Sequence, residues 1–128
     1  QAGKKTFHTI IPGFITKGEQ AIGPFGVMGA YMQPQGQLQV ISNMIDYGMN
    51  PQAALDAPRW QWFGDKTIGL EPELAPSIVK GLQDKGHDAT VAADPTIYGR
   101  GQIIIRDPET GVLCGGTEKR IDGTIAAY

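Results

Sequence analysis

Between Gln33 and Gly48 the apolar residues recur at helical spacing. Leu38, Val40, Ile41, Met44 and Ile45 fill a broad face, while Gln39, Ser42, Asn43 and Asp46 form a narrow polar stripe, so the pattern predicts a helix closed by Gly48. Asn50–Pro51 restarts a short helix, with Asn as N-cap and Pro at the first helical position. Ala57–Pro58 stops it, because the residue before proline avoids the α region. A third helix is predicted over 76–85, with Ile78, Val79 and Leu82 on one side and Gly86 after it.

The strand signals lie between these helices. Residues 9–16 (T-I-I-P-G-F-I-T) are β-branched and aromatic, Lys17-Gly18-Glu19 is a turn, and 24–28 is a second strand antiparallel to the first. Pro12 belongs at an edge or bulge, since it donates nothing to a ladder. Short strands are predicted at 60–63 and 67–70 around Gly64-Asp65, a weak one at 89–93, and a strong one at 102–106. Asp107-Pro108-Glu109-Thr110-Gly111 is a turn by chemistry, leading into a strand from Val112. Residues 124–128 read as a terminal strand. Helices and mostly antiparallel strands in separate runs give an α+β fold, and 128 residues suffice for one domain, 1–128.

Composition removes several function classes. A net charge of −2 gives no electrostatic case for nucleic acid or an anionic membrane surface. No apolar run approaches the ~18 residues of a membrane span. Two histidines and one cysteine, far apart in sequence, form no metal-ligand cluster, no phosphate-loop pattern is present, and no cofactor is implied. Cys114, in Val112-Leu113-Cys114-Gly115-Gly116, reads as a half-buried packing residue. Gln1 is not a translation start, so the chain is expected to be processed, cut or engineered. Any targeting signal is then out of view, and cytoplasmic and secreted or periplasmic locations both stay open.

Several stretches, in order along nearly the whole chain, carry a family resemblance. Gly26-Val27-Met28-Gly29-Ala30 followed by Gln33-Pro34-Gln35-Gly36, the run from Gly48 to Arg59 (G-M-N-P-Q-A-A-L-D-A-P-R), Asp107 to Leu113, and Arg120-Ile121-Asp122-Gly123 resemble the small subunit of gamma-glutamyltranspeptidases. The resemblance implies part of an N-terminal-nucleophile αββα sandwich. Its active site uses the N-terminal threonine of an autoprocessed small subunit against a γ-glutamyl amide, with backbone N–H groups stabilising the oxyanion. The family's two adjacent oxyanion glycines fall on Gly29 and Ala30. Its paired serines, which hold the donor's carboxylate, fall on His8 and Thr9, a departure that is similar to the acylase-like branch.

Thr6-Phe7-His8 lies too close to Gly29 to be the nucleophile segment. The resemblance therefore implies that the nucleophile, the large subunit and the N-terminal part of the small subunit lie outside this chain. The substrate implied is a γ-glutamyl or related acyl amide. An apolar face left uncovered by the missing partner predicts self-association. Arg100, in the loop Tyr98-Gly99-Arg100-Gly101, can reach a substrate anion. Asp56, Asp122 and Arg120 can carry catalysis individually, and helix capping and surface pairing explain them equally well. The alternative reading is a non-catalytic binding or scaffold domain with the same fold.

Overall fold

The computed structural model describes residues 1–92 and 94–127. One sheet contains strands β1 (Gly13–Lys17), β2 (Gln20–Met28), β6 (Arg100–Arg106) and β7 (Leu113–Thr117), all antiparallel, in the order β1-β2-β6-β7. A second holds β3 (Trp60–Gly64), β4 (Thr67–Leu70) and β5 (Asp88–Val91); β4 is antiparallel to β3 and parallel to β5. Among the described residues three α-helices complete an α+β fold: α1 (Met32–Ile45), α2 (Pro51–Asp56) and α3 (Pro76–Asp84).

Two apolar clusters hold the layers together. Val27 and Ile103 of the four-stranded sheet pack with Val40 of α1 and Ala54 and Leu55 of α2. Ile68, Leu70 and Ala89 of the second sheet take Val79 and Leu82 of α3 on one face. Asn50 caps α2 as its sequence requires, its Oδ1 accepting the Ala53 N–H at 2.8 Å.

The first predicted strand is shorter than residues 9–16, since β1 begins only at Gly13. Residues 9–11 instead use side chains as hydrogen-bond partners. The Gln33 amide accepts the Ile11 N–H at 2.8 Å and donates to the Thr9 carbonyl at 3.0 Å, and Gln37 Nε2 donates to the Ile11 carbonyl at 2.5 Å. On the other flank of α1, Gln35 exchanges two bonds with the Trp62 backbone (2.7 and 3.1 Å) and Gln39 two with Trp60 (3.0 and 2.8 Å). Glutamines four apart share a helix face, and those two apart lie on nearly opposite ones. The alternation Gln33-Pro34-Gln35-Gly36-Gln37-Leu38-Gln39 therefore fastens a chain segment to each side of α1.

That ladder also corrects the predicted helix face. Gln39 and Asn43 are half-buried because their side chains serve neighbouring backbone, as Asn43 does for the Ala54 carbonyl at 3.3 Å, and Ser42 between them is half-buried as well, while Leu38 and Ile45 are 61% and 65% exposed. α1 ends at Ile45, three residues before Gly48, which takes φ +64° in the closing turn. Residues 124–127 form no strand: Ile125 lies over the bare backbone of Gly115, so the tail crosses β7 by side-chain contact without joining its ladder. Tyr128 of that segment, and Ala93 of the weak strand, lie outside the described residues. Cys114 is exposed: β7 is an edge strand, and the six-residue α2 packs against it at Gly116.

Candidate functional site

The strand-to-helix turn between β2 and α1 has an unusual backbone. Gly29 adopts φ +143° and Ala30 φ +50°, both in the region that favours glycine. Gly29 is required sterically as well, since a Cβ there would lie 3.0 Å from the Gly99 Cα. Ala30 has no such clash but carries a strain of about 1–2 kcal/mol for a left-handed L-residue. The turn closes through Met32 N–H to the Gly29 carbonyl (2.9 Å) and Gln33 N–H to the Ala30 carbonyl (3.1 Å). The N–H groups of Gly29, Ala30 and Tyr31 find no partner among the described residues, and no side chain caps α1. Unpaired amides at the positive end of a helix favour negative charge.

Ala30→Gly is therefore expected to stabilise the protein by about 1 kcal/mol, because glycine accepts φ +50° without strain at some cost in unfolded-chain entropy. Urea unfolding of the two proteins measures this, and a midpoint that falls would mean the turn is not strained.

Beneath this turn lies a four-member charge network that sequence reasoning missed. Arg59, Glu71, Glu118 and Arg120 have side chains no more than 3% exposed. Glu118 accepts from Arg59 Nη2 at 2.9 Å, Arg120 Nη1 at 2.7 Å and the Gly101 N–H at 2.7 Å. Glu71 accepts from Arg120 Nε (2.6 Å) and Nη2 and from the Arg59 backbone N–H (2.6 Å). Arg59 Nη1 also donates to the carbonyls of Tyr98 (3.0 Å) and Gly99 (3.1 Å), while Nη2 reaches that of Leu55 (3.2 Å). Two cations and two anions cancel, and the spare donors fix the chain at Gly99, against which Gly29 packs. Neither Arg59 nor Glu118 carries a periodicity, and they are paired across 59 positions.

Burial alone would push the Glu118 carboxyl up, but the Arg59 charge and the hydrogen bonds from Arg120 and Gly101 hold it below the usual carboxylate value. A depressed folded value gives stability that is complete above the unfolded value of about 4.3 and lost as pH falls through the folded one. Thermal melts followed by circular dichroism should give a level Tm from neutrality down to about pH 5 and a fall below that. A Tm that rises on acidification would contradict the sign. Tyr98, fully buried, has its phenol pushed up to about 12 by burial and then by Glu71.

The segments predicted to contribute to a site meet around the start of α1. His8 and Thr9 precede the stretch clamped by Gln33; the His8 Nδ1 accepts the Ile10 N–H at 3.2 Å, leaving Nε2 to carry the proton, and Thr9 uses its carbonyl. Arg100 is not in a flexible loop. It opens β6 in register with Met28, because Tyr98 and Gly99 are buried and held by Arg59. Its Nε is buried without a partner among the described residues. Ile10, Met28 and Arg100 line one hollow of about 350 Å³. Asp56 is occupied by Gln52 of its own helix at 3.0 Å, Arg120 belongs to the buried network, and Asp122 is exposed, so none of the three joins this cluster.

Comparison with known proteins gives a consistent picture. The chain matches the Gamma-glutamyltranspeptidase family over residues 1–128. It is 38% identical to a Glutathione hydrolase-like YwrD proenzyme of Bacillus subtilis over 94% of this chain and 24% of that protein. It is 33% identical to an Oxamate amidohydrolase proenzyme of Klebsiella pneumoniae, over 98% and 25% respectively. Among solved structures, a cephalosporin acylase from Bacillus halodurans superposes with a TM-score of 0.92 at 59% identity, over all of this chain and 24% of that one. The gamma-glutamyltranspeptidase of Helicobacter pylori superposes at 0.78 with 28% identity, over 94% and 66%. The chain thus spans about a quarter of the length of the curated relatives it matches. Its three helices and antiparallel-rich sheets are the layout of those neighbours. Matched along its whole length and sharing sequence with both acylases and glutathione hydrolases, this chain belongs to the gamma-glutamyltranspeptidase family.

Proposed function

We infer that this chain supplies the oxyanion-stabilising turn of an N-terminal-nucleophile amide hydrolase or acyltransferase acting on γ-glutamyl (glutathione-like) or related acyl amides. The threonine nucleophile then belongs to polypeptide outside these 128 residues, and a separate large subunit completes the enzyme. The observation that carries this reading is the pair of left-handed residues, Gly29 and Ala30, whose N–H groups stay unpaired at the head of a 14-residue helix. Glutathione hydrolase, amidohydrolase and acylase, the names its relatives bear, all describe acyl transfer to water, and such a turn serves that chemistry.

In this reading the nucleophilic oxygen attacks the amide carbon and the carbonyl electron pair moves onto oxygen. The Gly29 and Ala30 N–H groups donate to that oxyanion. Return of the pair expels the amine, which takes the proton that the nucleophile gave to its base. On the acyl side, the His8 Nε2–H, the free Thr9 hydroxyl and the Arg100 guanidinium hold the donor's carboxylate. His8→Ala and Thr9→Ala then act mainly on KM, since that contact is equal in ground and transition states.

The test is a comparison of the 128-residue chain with the same chain joined to the missing polypeptide, assayed on a γ-glutamyl anilide. The chain alone is expected to give no turnover. Multiple turnovers from it alone, blocked by an active-site-directed glutamine analogue, would overturn the assignment of the nucleophile elsewhere.

A further inference from the structure

On the flank of α1 away from His8 and Thr9 lies a second, larger groove of about 800 Å³. Its walls are Tyr31, Trp60, Trp62 and Phe63, with Pro34 and Ile68. These aromatic side chains remain open to solvent: Tyr31 is 87% exposed, Trp62 51% and Phe63 53%. Gln35 and Gln39 hold β3 against the helix, so the tryptophans are presented on a fastened strand. Tyr31 directly follows Ala30, which makes the groove continuous with the strained turn. Two glutamines stand among the aromatics, and Gln35 spends its amide on the Tyr31 and Trp62 backbone. Gln61, 8% exposed, lines the groove, and its Oε1 is buried with no donor among the described residues. Buried acceptors are rarely left unpaired without a reason.

We propose that this groove is the subsite for the amine side of the scissile amide, and that it selects amines bearing an aromatic ring. The proposal rests on the oxyanion reading of Gly29 and Ala30. With the donor's carboxylate on the His8–Thr9 flank, the leaving amine extends across the head of α1 to the opposite flank. There a ring stacks against Trp62 and Tyr31, and Gln61 Oε1 accepts an N–H from the amine's substituent. An open groove of this size, mostly aromatic with one uncommitted polar group to fix orientation, has the make-up of a small-molecule site. Aromatic stacking adds about 0.5–1.5 kcal/mol beyond area burial, which is about a two- to tenfold preference over an alkyl chain.

Both tryptophans of the chain line this groove, so their emission reports binding without any turnover. The first experiment titrates the 128-residue protein with phenethylamine and with n-butylamine, two amines of equal charge. Phenethylamine is expected to give a saturable change in emission at least several-fold tighter than n-butylamine. Trp62→Ala should erase that difference. Gln61→Leu should weaken a probe carrying an extra amide N–H, phenylalaninamide, while leaving the thermal transition level or higher. Equal affinities for the two amines, or no saturation with either, would overturn the proposal.

The second experiment compares kcat/KM for the γ-glutamyl phenethylamide and n-butylamide in the joined enzyme. Both leaving groups are primary alkylamines, phenethylamine the somewhat weaker base, so recognition is reported by the part of the preference that Trp62→Ala removes. A ratio of several-fold or more that collapses in Trp62→Ala supports the subsite. A ratio near one with normal turnover removes the subsite and leaves the oxyanion reading intact. Saturable aryl binding in a joined enzyme that cleaves neither these amides nor other acyl amides removes the oxyanion reading, and the assignment of the groove to a leaving amine falls with it.

Discussion

Arg59→Met is expected to destabilise the protein by about 3–5 kcal/mol, the cost of breaking a buried ion pair from one side. The variant leaves the Tyr98 and Gly99 carbonyls without their guanidinium donor and removes one of two cations on Glu118. A loss of this size is a large fraction of the roughly 5–15 kcal/mol that stabilises an ordinary domain. An internal comparison sharpens it. Lys80 and Asp84 are also 2.9 Å apart, yet their side chains are 74% and 62% exposed, so Lys80→Ala should cost no more than about 0.5 kcal/mol. Urea midpoints of the two variants give the contrast directly. Arg59→Met with Glu118→Leu should recover part of the loss, since the double change leaves fewer uncompensated charges. Equal effects of Arg59→Met and Lys80→Ala would show that the network does not fasten Tyr98 to Arg100 in place.

The helices were legible in the sequence because their signals are local. Asn50–Pro51 caps and starts α2, the apolar spacing of Val79 and Leu82 marks α3, and Asp107 to Gly111 turns as its side chains dictate. What the pattern could not carry was pairing through side chains. Residues 9–11 have every strand propensity, but Gln33 and Gln37 satisfy their backbone, and no periodicity announces that exchange. The same holds for the tail, where Ile125 takes the space above Gly115. For the candidate site, the family resemblance pointed to Gly29 and Ala30, while the left-handed φ of Ala30, in a turn where Gly29 packs against Gly99, cannot be read from an alanine. Arg59, Glu71 and Glu118 were invisible for a related reason: charged residues read as surface by default, and their burial depends on partners dozens of residues away.

Deleting the Ala30 N–H from a joined, active enzyme should lower kcat by about 100- to 1,000-fold, the usual loss for one oxyanion donor. Proline at position 30 is a poor way to do this, because its ring fixes φ near −65° and Ala30 sits at +50°. An amide-to-ester exchange, with L-lactate in place of Ala30, removes the donor and leaves φ free to stay where it is. Its side effect is small and separable: the Gly29 carbonyl becomes an ester and accepts the Met32 N–H more weakly, which costs a fraction of a hydrogen bond in stability. The Ala30 N–H itself has no partner among the described residues, so its removal should hardly shift the thermal transition. Ala30→Gly supplies the converse case, keeping the donor while releasing the strain, and should hold kcat within about twofold to threefold of the parent if stabilisation comes from the N–H alone. The loss from the ester should appear in kcat and in kcat/KM alike, with KM nearly constant, because the donor engages charge that exists only in the transition state. A folded ester variant that turns over near the parent rate would remove Ala30 from the oxyanion role, and Gly29-Ala30 would then be a tight strand-to-helix turn without chemistry.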